Sequence, residues 1–166
     1  MGIFKLFNQI QQETYSCLNE INQKKELFSK SINLLKEIKK NKKKVIIFGN
    51  GGSAATSSHF AVDLTKNART RCINFNDADL ITCFSNDYGF QNFVRQSIDS
   101  YYDKDDLVIL ISVSGESKNI VNAAKFCVEK KINLITLTGK NKNNSLKKLN
   151  KKGISFHINS SSYNTV

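Results

Sequence analysis

Apolar positions recur at helical spacing through the first forty or so residues, then gather into short continuous blocks. Ile3, Phe4, Phe7, Ile10, Tyr15, Leu18 and Ile21 mark one amphipathic stretch, and Leu27, Ile32, Leu34, Leu35 and Ile38 mark a second. This period predicts a helical pair over residues 3–40, broken at Asn22 and Gln23. The chain has no proline, so its breaks must come from Gly, Asn and Ser. After Lys44 the texture changes. The block 45–48 is apolar throughout and runs into Gly49-Asn50-Gly51-Gly52, which reads as a buried strand ending in a turn. A helix is expected from Ser53, with Ser53 as its N-cap.

Further strands are expected at 72–75, 107–111, 132–137 and 154–158. Helices are expected over 90–101 and 119–129, the latter with Ile120, Val121, Ala124 and Val128 on one face. Alternating strands and helices imply βαβ units, a parallel sheet and right-handed crossovers. The expected class is α/β, three layers around a parallel sheet, with the helical pair at the N-terminus. In such sheets ligands lie beyond the carboxyl ends of the strands.

At 166 residues the chain suits one domain. Its 40% hydrophobic and 23% charged content excludes intrinsic disorder. No apolar run is long enough to span a bilayer, and the N-terminus lacks a signal-peptide pattern, so no membrane partner and a cytoplasmic location are expected. The net charge of +11 fits an anionic partner, or a solvated lysine-rich surface. The densest basic run, residues 39–44, closes a predicted helix, where cations complement the dipole. No aromatic residues interleave with it, which disfavours nucleic acid. None of the four cysteines forms a CxxC pair, so free thiols are expected, with Cys72 and Cys127 at apolar-patterned positions.

Two turns carry candidate chemistry. Ser112-Val113-Ser114-Gly115-Glu116-Ser117 leaves one strand and opens a helix. Its hydroxyls, a glycine that permits close approach and the unpaired N–H groups of a helix start would together cradle a phosphate. The same pattern fits a solvated turn with a serine cap. Gly49-Asn50-Gly51-Gly52-Ser53 is a second such turn; it has neither the P-loop nor the GxGxxG spacing. His59 and Asp63 are i, i+4 on the helix that follows, and could share a metal, pair with each other or form a surface contact.

Together, FGNGGSAATSSHFAVDL at 48–64, FSNDYGF at 84–90, ISVSGES at 111–117 and LITLTGK at 134–140 resemble the sugar isomerase (SIS) domains, and within them the phosphoheptose isomerases. The resemblance implies a single flavodoxin-like SIS domain over 1–166. It also implies aldose–ketose isomerisation of a sugar phosphate, sedoheptulose 7-phosphate, for surface polysaccharide. The alternative is a non-catalytic sugar-phosphate-binding SIS protein with a regulatory or scaffolding role. By the resemblance Asn50, Gly51, Gly52 and Ser53 bind substrate, as do Asn86 and Asp87. Ser112, Val113, Ser114 and Ser117 form the phosphate loop. His59 and Asp63 stand where the family has a zinc-binding His and Glu, so Zn2+ is an expected cofactor and Asp63 the expected catalytic base. A homotetramer is implied. Asp63 is one methylene shorter than the family's Glu. The family's C-terminal helix, with its Gln and His, is expected to be absent after residues 161–166. His157, inside the last predicted strand, is expected to be structural.

Overall fold

The computed structural model describes residues 2–160; Ser161, Ser162, Tyr163, Asn164, Thr165 and Val166, matched above to the approach to the family's last helix, lie outside the described residues. Helices α1 (Ile3–Asn22) and α2 (Lys25–Lys40) form the N-terminal pair, with the break where the sequence places it. Then β1 (Val45–Phe48) is followed by α3 (Gly52–Lys66), and β2 (Cys72–Asn74) by α4 (Ala78–Tyr88) and α5 (Phe93–Tyr101). Next, β3 (Leu107–Ser112) leads into α6 (Lys118–Glu129), and β4 (Asn133–Thr138) into α7 (Ser145–Leu149) and β5 (Ile154–His157).

All pairings are parallel and the strand order is β2-β1-β3-β4-β5. The order reverses between β1 and β3, which leaves a crevice at their carboxyl ends. Ile46, Phe48, Val108 and Leu110 point to one core, which receives α5 and α6. Val45, Ile47, Leu107 and Ile109 point to the other, beneath α2 and α3. Burial on both faces explains why β1 and β3 read as unbroken apolar runs rather than alternating ones. Each such side chain contributes about 1.5–3 kcal/mol by leaving water, and this rigid centre holds the two turns.

Several expectations are corrected. Ser53 is not the cap of α3: the helix starts at Gly52, Gly51 holds the cap position at φ 54°, and Ser53 lies in the first turn. The segment preceding residue 90 is helix α4, and Phe90 itself precedes α5 rather than opening it. On α6 the buried face is Ile120, Ala123, Ala124 and Cys127, while Val128 is exposed. The four cysteines are free, and Cys83 is exposed. Burial pushes the Cys72 and Cys127 thiols up to about 12, so neither is poised as a nucleophile. No helix among the described residues is long and apolar enough to cross a membrane.

Candidate active site

The chain leaves β1 at Phe48, which is fully buried, and turns at once into α3. The turn works because Gly51 takes a left-handed backbone that side chains disfavour. Ser53 N–H then donates to Asn50 O at 3.0 Å, and Ala54 N–H to Gly51 O at 3.0 Å. Across the crevice, β3 ends at Ser112 and the next residues tighten into a second turn. Gly115 N–H donates to Ser112 O at 3.0 Å and to Ser112 Oγ at 3.1 Å. Ser112 Oγ lies 3.2 Å from Ser117 Oγ, and Glu116 N–H donates to Ser114 Oγ at 3.2 Å. Gly115 has φ 67°, and a side chain on it would run into Asn144.

The outside of this loop is tied to α7. Glu116 accepts from Ser145 N–H at 2.8 Å and from the Ser145 hydroxyl at 2.7 Å; these bonds hold its carboxyl below the usual range. Leu146 N–H donates to Gly115 O at 3.0 Å, and Asn144 caps α7 by accepting from Lys147 N–H. Glu116 therefore points away from the crevice, and no carboxylate from the loop opposes an incoming anion.

Between the turns lies a cavity of about 660 Å³. The first turn contributes Asn50, Gly51, Gly52 and Ser53, and the second Ser112, Val113, Ser114 and Ser117. Two residues passed over in the sequence also line it, Thr56 on α3 and Thr138 at the end of β4. Thr138 stands in register with Ser112 on one side and His157 on the other. Its hydroxyl contacts His157 Nδ1 at 3.0 Å, while His157 Nε2, also buried, has no hydrogen-bond partner. Burial, seconded by the charge of Lys147, holds the His157 pKa below its ordinary value, so the ring stays neutral, as a structural histidine would. The strand-end motif Thr138-Gly139 was the available signal for Thr138.

The other predicted residues stand apart. Asn86 and Asp87 are exposed in the last turn of α4, where the Asn86 amide donates to the Asp87 carboxylate at 3.0 Å; neither lines the cavity. His59 and Asp63 follow Thr56 along one face of α3, with His59 Nε2 at 3.7 Å from Asp63 Oδ2. Asp63 also accepts from Asn67 Nδ2 at 3.0 Å. Their side chains are 81% and 48% exposed, and neither lines the cavity. A protein zinc site takes three or four protein donors. Among the described residues no third His, Cys, Asp or Glu joins this pair, so one chain offers an incomplete set.

A parallel sheet in this order, with paired glycine and serine turns facing each other across its crevice, defines an α/β domain with a ligand crevice at its strand ends, and the chain belongs to the SIS-domain family, whose model matches residues 10–139. Its kin within that family are phosphoheptose isomerases. The phosphoheptose isomerase of Campylobacter concisus is 35% identical over 138 residues, 74% of this chain and 73% of that protein. Two solved structures share the fold. Phosphoheptose isomerase GmhA from Neisseria gonorrhoeae superposes with a TM-score of 0.88 at 23% identity, covering 99% of this chain and 91% of that one. A phosphoheptose isomerase from Francisella tularensis gives 0.90 at 22% identity, covering 99% and 90%.

Proposed function

We propose that the protein is an aldose–ketose isomerase acting on sedoheptulose 7-phosphate, giving D-glycero-D-manno-heptose 7-phosphate for surface polysaccharide. One observation carries the reading: both turns line a single cavity at the strand ends, in a chain whose relatives are named phosphoheptose isomerases. The dianion sits on the hydroxyls of Ser112, Ser114 and Ser117, at the positive end of the α6 dipole, while Asn50 to Ser53 face the sugar. Anchoring the phosphate far from the reacting carbons lets its binding energy hold them in place. A base takes the proton from C1 of the ketose while an acid protonates the C2 carbonyl oxygen, giving the enediol. Return of a proton to C2, with loss of the proton from the C1 hydroxyl to solvent or protein, leaves the aldehyde at C1 and a hydroxyl at C2.

Asp63 is proposed as that base. It lies two turns along α3 from cavity-lining Thr56, a rise of about 10 Å at 1.5 Å per residue. Asn86 and Asp87 are proposed to meet the sugar as the resemblance implies, and His59 and Asp63 to be two ligands of a zinc whose remaining donors lie outside the described residues of one chain. A homotetramer is supported by the apolar stripe of α1, where Phe4 is 81% and Phe7 64% exposed. A cytoplasmic location fits a phosphorylated substrate. The test is NMR detection of aldose from sedoheptulose 7-phosphate, with Asp63→Asn and Asp63→Glu alongside. Turnover lost in the first and retained or raised in the second supports the assignment. Unchanged turnover in Asp63→Asn removes it.

A further inference from the structure

Asn119, the second residue of α6, is 2% exposed, is not among the residues lining the cavity between the turns, and belongs to none of the motifs that define the site. Its amide forms a reciprocal pair with Asn50. Asn50 Nδ2 donates to Asn119 Oδ1 at 2.9 Å, and Asn119 Nδ2 donates to Asn50 Oδ1 at 2.9 Å. A third bond fixes the orientation of both amides: Ile120 N–H donates to Asn119 Oδ1 at 2.9 Å. Turning the Asn119 amide over would set its NH2 against that N–H, leaving two donors face to face. Asn50 must therefore present its Nδ2 to Asn119 Oδ1 and its Oδ1 to Asn119 Nδ2.

The pair joins the turn after β1 to the helix that opens the serine loop, across the crevice where the strand order reverses. It is the direct side-chain link between the two halves of the cavity. An amide has two N–H groups and an oxygen with two lone pairs. Asn50 thus keeps one N–H and one lone pair, in a fixed direction, for a ligand. The turn it sits in needs such a restraint, because Gly51 and Gly52 leave the backbone otherwise loose.

We propose that Asn119 is a positioning residue: through the reciprocal amide pair it aims Asn50 at the sugar and sets the spacing between the glycine turn and the serine loop. This rests on the isomerase reading for its kinetic consequence, and on geometry alone for its effect on the turn. The experiment has two arms on the full chain. In the first, hydrogen exchange of the unliganded protein follows the Ser53 and Ala54 amides, which close the Asn50 turn, and the Ile109 amide in β3. Asn119→Ala is expected to speed exchange at Ser53 and Ala54 about fivefold or more and leave Ile109 unchanged. Equal acceleration at Ile109, or none at the turn, overturns the proposal.

In the second arm, Asn119→Ala, Asn50→Ala and the double variant are assayed with sedoheptulose 7-phosphate, and with inorganic phosphate as competitor. Each single variant is expected to lower kcat/KM about tenfold or more, the double to be no more than about threefold worse than the weaker single, and phosphate inhibition to stay within about threefold. Fully multiplicative losses, or an Asn119→Ala enzyme within about twofold of wild type, overturn it. Asn119→Asp is isosteric, keeps the acceptor for Ile120 N–H and breaks only the bond to Asn50 Oδ1. It serves in the exchange arm should the alanine variant fail to fold, with the same expected pattern. A wild type without turnover, together with a loosened turn in the variants, counts against the isomerase reading and supports the clamp.

Discussion

Replacing Gly115 by alanine tests the geometry of the serine loop. Two costs follow from the structure. The residue sits at φ 67°, where an L side chain costs about 1–2 kcal/mol. The new methyl group also collides with the Asn144 side chain, which must swing away and surrender its cap on Lys147 N–H, worth about 1 kcal/mol. The sum is about 2–3 kcal/mol. For a chain of this size that lowers Tm by about 4–12 °C. Asn144→Ala alone should cost about 1 kcal/mol, the lost cap. The double variant should then match Gly115→Ala rather than the sum of the two, because the cap is lost only once, and the coupling is about 1 kcal/mol. Thermal or urea unfolding of the four proteins measures this cycle, and phosphate binding should weaken in Gly115→Ala because the loop is displaced. Strict additivity, or a Gly115→Ala protein within about 0.5 kcal/mol of wild type, would refute the reasoning.

Ser112→Ala/Ser114→Ala removes two hydrogen bonds to a charged group at about 1.5–3 kcal/mol each. Calorimetry with a sugar phosphate should therefore show affinity reduced at least about a hundredfold. Asp106, 1% exposed, accepts from Lys44 N–H and Asp103 N–H and pairs with the Lys44 ammonium. Asp106→Ala leaves the Lys44 and Asp103 backbone N–H groups without their acceptor, while the Lys44 ammonium keeps Asp103 at 2.6 Å, and should cost about 2–4 kcal/mol by denaturant unfolding. The His157 pKa is depressed in the folded chain, so as pH falls through the unfolded value of about 6.5 toward the folded one, the unfolded state binds the extra proton first. Stability should fall over that window in the wild type, and more shallowly in His157→Gln. Equal slopes would contradict the assignment of a buried neutral ring.

The central sheet was legible in sequence because β1 and β3 are buried on both faces, which writes an unbroken apolar run between turn residues. The helical pair was legible from its period, and its break fell where Asn22 and Gln23 interrupt it. Helix α4 was not, since none of its residues is fully buried; Leu80, Ile81 and Phe84 pack only partly, which blunts the apolar stripe. Helix α7 has five residues, too few to show a period. The start of α3 was misread because Ser53 is a good cap by type, while the left-handed turn at Gly51 had already opened the helix one residue earlier. At the site, the two turns were readable as local strings. The Asn50–Asn119 pair was not, because 69 residues separate partners that only the fold brings together. The placement of Asn86 and Asp87 on an exposed helix end likewise depends on α4, which left no sequence signal.

The most direct test follows backbone amide resonances while the protein is titrated with sedoheptulose 7-phosphate. The account predicts that Gly51, Gly52 and Ser53 shift together with Ser114, Gly115 and Ser117, at one common midpoint, because both turns grip one ligand. Shifts confined to one turn, or two separate midpoints, would contradict it.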